Sequence, residues 1–185
     1  IGAVTGLGLL NKYTVALLPA GLVVGLLCTA QRRQLATPWP WLGGALALLL
    51  VAPHLWWQQA HGWPTAEFMA NATARKNVHL GLLEFLAGQV TMSQPLAAPL
   101  WVAGLVGLLA ARRFAALRPL GIAYLVAFAV LVAQGGKAYY LSPIYPVLFA
   151  AGATWLEAAV RARAWRWPLP LAGGVLLAGG LALAP

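Results

Sequence analysis

Six stretches of this chain contain no Asp, Glu, Lys or Arg: residues 13–31, 34–66, 85–111, 119–136, 138–156 and 167–185. A helix that crosses a bilayer needs about 20 mostly apolar residues. Charge-free runs of this length, repeated along 185 residues, constrain the fold more than any other feature. A soluble domain draws roughly a quarter of its residues from the charged set. Here the share is 8%, against 62% hydrophobic. Such a chain cannot cover itself with a solvated surface. The expected fold class is all-α: a polytopic transmembrane helical bundle of about six spans plus an interfacial helix, forming one transmembrane domain over 1–185.

The spans are expected at about 14–30, 39–57, 95–111, 119–134, 143–160 and 168–185. Residues 1–10 read as the tail of an earlier span. The first residue is Ile and no cleavable signal pattern precedes the first span, so the chain reads as part of a longer protein. Alternation then sorts the connections. The segments 31–38, 112–118 and 161–167 carry Arg32, Arg33, Arg112, Arg113, Arg118, Arg161, Arg163 and Arg166. Cytoplasmic loops concentrate Lys and Arg, so this side is expected to face the cytoplasm. The +9 net charge is then mostly a record of topology, and no nucleic-acid partner is implied. Trp39, Trp41, Trp165 and Trp167 fall near that side, and Trp56, Trp57 and Trp63 near the other, as interfacial indoles do. Cys28 lies in an apolar run and reads as a small buried hydrophobe.

Four cations remain on the opposite side: Lys12, Arg75, Lys76 and Lys137. The largest non-spanning segment, 58–94, is also there, as an extracytoplasmic loop with short helices. Thr65 is a candidate N-cap for a helix to Ala74, and Leu80–Val90 reads as a helix lying in the interface. Three polar clusters gather on this face. Gly135-Gly136-Lys137-Ala138-Tyr139-Tyr140 joins two spans, and an ammonium beside two phenols suits a phosphate at headgroup level. The bland reading is a snorkelling Lys among belt tyrosines. The loop from His54 through Trp57, His61, Trp63 and Glu67 to Arg75, Lys76 and His79 is rich in amides, carboxylate and indoles, as sugar sites are. Its His spacing does not argue for zinc. Asn11-Lys12-Tyr13 sets an ionisable residue between two apolar stretches.

Catalytic motifs are scarce. There is no Walker A, G-x-S-x-G, H-E-x-x-H or C-x-x-C pattern. Glu157 and Arg161 are spaced for a surface pair. Glu67 and Glu84 are the only carboxylates on the active side.

Three segments resemble one family. Gly6-Leu7-Gly8-Leu9-Leu10-Asn11-Lys12-Tyr13-Thr14 resembles the "GLALLSKYT"-type segment of the bacterial membrane glycosyltransferases of family 39, the group similar to protein O-mannosyltransferases and lipid A aminoarabinose transferases. The HGWP-containing stretch Pro53–Phe68 resembles that family's extracytoplasmic loop. Gly136–Pro146 resembles its "GK-x-YYL-x-P-x-YP" turn. The resemblance implies a GT-C fold and a glycosyltransferase in the bacterial inner membrane, multi-pass, with its active side extracytoplasmic. The implied donor is a sugar on a polyprenyl phosphate, transferred with inversion to a lipid, glycan or protein acceptor. Lys137 and Tyr140 match the family's carrier-phosphate residues, with Tyr139 beside them and Arg75 as a second cation. His54, Trp57, His61, Trp63, Glu67 and Lys12 fall to the substrate loop and motif lysine. No cofactor is implied with certainty, and a divalent metal is compatible with the chemistry. The family's general base is an Asp in an earlier loop, and this chain has no Asp. The base is therefore expected outside it, and the chain alone is expected to be inactive. A transporter or flippase for a lipid-linked anion is the alternative, but it predicts midplane polar groups and repeats, neither of which is visible.

Overall fold

The computed structural model describes residues 1–76, 80–162 and 168–182. His79 and the segment bearing Arg163, Trp165, Arg166 and Trp167 lie outside the described residues, as do the side chains of Arg75 and Lys76. Among the described residues there is no strand. The helices are α1 (Gly2–Asn11), α2 (Leu17–Leu27), α3 (Pro38–Ala60), α4 (Pro64–Lys76), α5 (Leu82–Met92), α6 (Ala98–Ala110), α7 (Arg118–Ala133), α8 (Tyr145–Ala162) and α9 (Pro168–Ala182). The all-α expectation is borne out.

Each charge-free run is helical, but the lengths are uneven. Among the described residues two helical stretches, Pro38–Ala60 and Ala138–Arg161, are long and apolar enough to cross a membrane unaided. Two bent pairs bring the count of candidate spans to as many as four: Tyr13–Leu27 with Ala30–Ala36, bent by 111°, and Leu82–Met92 with Pro95–Ala110, bent by 99°. The expected number was about six. The difference arises because a charge-free run also contains the turns that close it. Within 13–31, residues Tyr13–Ala16 form a 3-10 turn and α2 proper begins only at Leu17. At 1.5 Å per residue, α3 is about 35 Å long, enough for the roughly 30 Å hydrocarbon layer. It carries exposed Trp39 and Trp41 at one end and exposed Trp56 and Trp57 at the other. That is the two-level indole spacing a bilayer favours.

Glycines set how the helices pair. Lipid tails are as apolar as Leu, so membrane helices associate by close contact across small residues. On α2, a Cβ at Gly21 would stand 2.8 Å from Ala123 Cα, and one at Gly25 would stand 2.7 Å from Pro119 Cα. The register runs antiparallel along α7. Gly6 of α1 lies against Ala47 and Leu50 of α3. Gly104 of α6 and Gly152 of α8 meet backbone to backbone, while Trp101 stacks edge-on with Tyr145 at 5.6 Å and Gly107 faces Trp155. This pair runs parallel. The three registers agree with the direction that alternation assigns to each span. The packed centre lies between α5, α6, α7 and α8, where Phe85, Leu108 and Leu148 are fully buried.

Three local expectations need revision. Cys28 is exposed at the end of α2, where the helix stops and its packed face ends. The loop helix begins at Pro64, so Thr65 is already inside its first turn and does not cap it. The helix expected over Leu80–Val90 is found as α5, shifted to Leu82–Met92, and leaves α6 at nearly a right angle through Gln94, whose φ is +64°.

Candidate functional site

Lys12 interrupts the chain between α1 and the 3-10 turn at Tyr13. Its backbone is extended, with φ −153° and ψ 122°. Successive side chains on extended backbone point to opposite sides. Lys12 and Tyr13 accordingly go to different places, and two polar clusters result.

The Lys12 ammonium lies 4.2 Å from the centre of the Tyr140 ring and 5.2 Å from that of Tyr139. The Lys137 ammonium lies 5.9 Å from the Tyr139 ring on its own turn. Tyr139 and Tyr140 meet edge to face at 4.7 Å. Two lysines distant in sequence thus approach one phenol ring, that of Tyr139, and Lys12 also meets Tyr140. The turn that presents Lys137 depends on Gly135, whose φ of +62° is open to glycine at no steric cost. It depends also on Gly136, whose N–H donates to the Leu131 carbonyl at 2.7 Å. Beside the rings is a cavity of about 170 Å³, lined by Lys12, Leu17, Leu18, Ala127, Tyr140 and Pro143 among others. Its walls are mostly apolar, and its polar side chains are Lys12, Thr14 and the two tyrosines. A cation at the mouth of an apolar cleft suits a ligand with an anionic head and a hydrocarbon tail.

Tyr13 enters the second cluster. Its hydroxyl lies 2.8 Å from His54 Nε2 and 3.2 Å from Thr65 Oγ1. Gln58, only 3% exposed, sits among them. Its Nε2 lies 3.4 Å from the Tyr13 hydroxyl and 3.2 Å from His54 Nε2, and it donates to the Thr65 hydroxyl. Its Oε1 accepts the Thr65 N–H at 3.1 Å. This network ties the end of α3 to the start of α4. Rings continue outward along α3: Tyr13 to His54 at 6.2 Å, His54 to Trp57 at 6.3 Å, Trp57 to His61 at 4.4 Å. His61 Nδ1 is 2.8 Å from the Trp57 carbonyl, so that nitrogen is held by its own helix. Gly62 and Trp63 make the turn into α4, both with positive φ.

The remaining candidates divide. Glu67 is exposed in the first turn of α4 and is not drawn to the lysine pair. Trp63 is exposed at the turn. Glu84 has a structural task, since its Oε2 accepts the Gly81 N–H at 2.9 Å at the start of α5. Glu157 pairs with Arg161 at 2.6 Å as the spacing predicted. Arg75 belongs to α4, but its side chain falls outside the described part. Among the described residues no three His, Cys, Asp or Glu side chains converge as metal ligands would. Tyr13 and Gln58 fell within the expected polar clusters without a role of their own, and Thr65 was expected only as a helix cap. The available signal was Gln58 at i+4 from His54 in an apolar helix, a spacing that puts both on one face.

These features define a multi-pass helical membrane protein with a cationic, aromatic cluster at one end of its bundle. Sequence comparison finds likeness over the N-terminal part of the chain. The profile of the dolichyl-phosphate-mannose-protein mannosyltransferase family matches residues 1–57. The lipopolysaccharide core galacturonosyltransferase RgtA of Rhizobium johnstonii is 37% identical over 62 residues, which is 33% of this chain. The aligned part spans 12% of that relative. No solved structure matches. Over its first third, then, the chain is similar to this glycosyltransferase family, in the stretch that holds the motif around Lys12.

Proposed function

We propose that this protein moves a sugar from a polyprenyl-phosphate donor to an acceptor at the extracytoplasmic face of a bacterial inner membrane. The observation that carries the proposal is the placement of Lys12 against the Tyr139 and Tyr140 rings beside an apolar cleft, with Lys137 approaching the same Tyr139 ring. The donor is anionic at its phosphate and apolar along its prenyl chain. On this reading the cleft takes the first isoprene units, and the two ammonium groups meet the phosphate at headgroup level.

The reaction breaks the bond between the anomeric carbon and the phosphate oxygen. An acceptor hydroxyl attacks the opposite face of that carbon, loses its proton to a base, and the sugar inverts. The phosphate leaves with the bonding electron pair. Charge on the leaving oxygens grows through the transition state, and cations fixed there lower the barrier. Lys12 and Lys137 fill that role, with the Tyr139 and Tyr140 hydroxyls as donors to the phosphate oxygens. His54, Gln58 and Tyr13, with the Trp57 and His61 rings beyond them, line the side where sugar or acceptor hydroxyls would be held. The base is not assigned to this chain: it has no Asp, Glu84 caps a helix, Glu157 is paired, and Glu67 stands exposed on α4, not drawn to the lysine pair. Residues 1–185 alone are therefore expected to bind carrier without transferring sugar.

The test compares undecaprenyl monophosphate with undecaprenol as ligands of the full-length protein in nanodiscs. A unit charge pair at 4–5 Å is worth about 1 kcal/mol in water and about 3–4 at an effective dielectric of 20. Lys12→Met and Lys137→Met should each lower affinity for the monophosphate by roughly fivefold to several hundredfold. Affinity for the alcohol should stay within about twofold. Unchanged monophosphate binding in both variants would remove the phosphate site and the reading with it.

A further inference from the structure

The turn bearing Lys137, Tyr139 and Tyr140 is held from behind by α5. Gln89 lies on α5 in an otherwise apolar stretch and is 1% exposed. Its amide is fully used. Nε2 donates to the Ala138 carbonyl at 3.0 Å and toward the Phe85 carbonyl of its own helix at 3.4 Å. Oε1 accepts the Tyr145 hydroxyl at 2.6 Å. The Ala138 carbonyl belongs to the peptide that joins Ala138 to Tyr139. The bond from Gln89 therefore lands between Lys137 on one side and the two phenols on the other. A second observation concerns the same contact. A Cβ on Gly88 would stand 2.8 Å from the Ala138 Cβ, so α5 can approach the turn this closely only with glycine at 88.

An amide in an apolar interior costs several kcal/mol if its bonds are unmade. A Leu of similar size would fill the space at no such risk. What the amide adds is direction, since it fixes the rotation of one peptide plane. Tyr145 fixes the amide in turn, so that the carbonyl faces its donor and the NH2 group faces Ala138. Tyr145 is itself wedged between Trp101 at 5.6 Å and Phe149 at 5.9 Å.

The geometry points to Gln89, held by Tyr145, as a positioning residue for the carrier-phosphate site. It locks the Ala138–Tyr139 peptide and so sets where Lys137, Tyr139 and Tyr140 face. The inference rests on the reading of the lysine pair as a phosphate site, and the experiment separates the two.

The full-length protein in nanodiscs is titrated with undecaprenyl monophosphate and with undecaprenol. The variants are Gln89→Leu and Tyr145→Phe, each alone and in a Lys137→Met background. Gln89→Leu should weaken monophosphate binding about five- to tenfold, the scale of one directed hydrogen bond, and leave the alcohol within twofold. Tyr145→Phe should act in the same direction and more weakly. In the Lys137→Met background the Gln89→Leu loss should shrink to less than twofold, because the group being aimed is gone. A packing defect would weaken both ligands alike and persist in that background. Either result, or no loss at all, overturns the positioning role. If Gln89→Leu does not fold, Tyr145→Phe carries the test, since it keeps the ring in its aromatic cluster. If Lys12→Met and Lys137→Met are themselves silent, the phosphate reading has failed. If they weaken binding and Gln89→Leu does not, only the positioning role has.

Discussion

One methyl group should be enough to part α6 from α8. A Cβ on Gly104 would stand 2.9 Å from the Gly152 nitrogen and would overlap the Leu148 carbonyl oxygen. A Cβ on Gly152 would stand 3.1 Å from the Gly104 nitrogen and would overlap the Leu100 carbonyl oxygen. These are helix backbone atoms, so no rotamer change relieves the clash and the axes must separate by roughly an ångström. A gap of 0.5–1 Å forfeits about a quarter to a half of each dispersion contact. Trp101, Leu148, Tyr145 and Leu108 are the buried side chains that would feel it. Overpacking costs about 1–3 kcal/mol, and the upper end applies where backbone meets backbone. Alanine is favoured over glycine in a helix by up to about 1 kcal/mol. The net expectation for Gly104→Ala or Gly152→Ala is therefore a destabilisation of about 2 kcal/mol. Gly44 on α3 provides the control, because nothing lies within 4 Å of a Cβ placed there. Gly44→Ala keeps only the propensity term and should stabilise by about 0.5–1 kcal/mol. Thermal unfolding in detergent, followed by tryptophan fluorescence, measures all three, with Trp101 and Trp155 flanking the crossing as reporters. Shifts of the same sign at Gly104 and Gly44 would refute the crossing. A site consequence follows as well, since α8 begins at Tyr145 and a displaced α8 carries away the partner of Gln89.

Two other outcomes can be checked independently. Glu84→Gln should lower stability by no more than about 1 kcal/mol, the scale of a lost helix-terminal acceptor, and leave monophosphate binding unchanged. A large binding loss would show the Glu84 carboxylate to be part of the ligand site. Cys28 is exposed at the end of α2, which alternation assigns to the cytoplasmic side. A membrane-impermeant maleimide should label it in inverted vesicles and not in intact cells, with the adduct located by mass spectrometry; the opposite pattern would invert the topology.

Charge-free runs were enough to locate helices, because burying ionised side chains in hydrocarbon is costly wherever a chain spans. They overstated span length, since turns such as Tyr13–Ala16 are just as free of charge as the helix that follows. The i+4 spacing of Glu157 and Arg161 was legible because both partners lie on one helix. The Cys28 expectation failed on a different count: an apolar run says nothing about which of its residues ends the packed face. Side-chain direction at Lys12 was also beyond reach. Motif order groups Lys12 with the loop around His54, yet the extended backbone sends Tyr13 to His54 and Lys12 to Tyr140.

That divergence has a consequence for what the family match can mean. The matched stretch, residues 1–57, contains Lys12, Tyr13 and His54 but none of Lys137, Tyr139 or Tyr140. On sequence alone, the likeness at Gly136–Pro146 stands apart from it. In the fold the two halves meet at the phenol rings, whose centres lie 4.2 Å (Tyr140) and 5.2 Å (Tyr139) from the Lys12 ammonium. A lysine that matches the family-type motif would meet neither phenol ring unless the second turn were in place. Substituting either half should therefore impair the same ligand, the monophosphate, and spare the alcohol. Loss from the Lys12 side alone would mean that the turn at Lys137 is only a membrane anchor, and that the candidate site ends where the matched stretch ends.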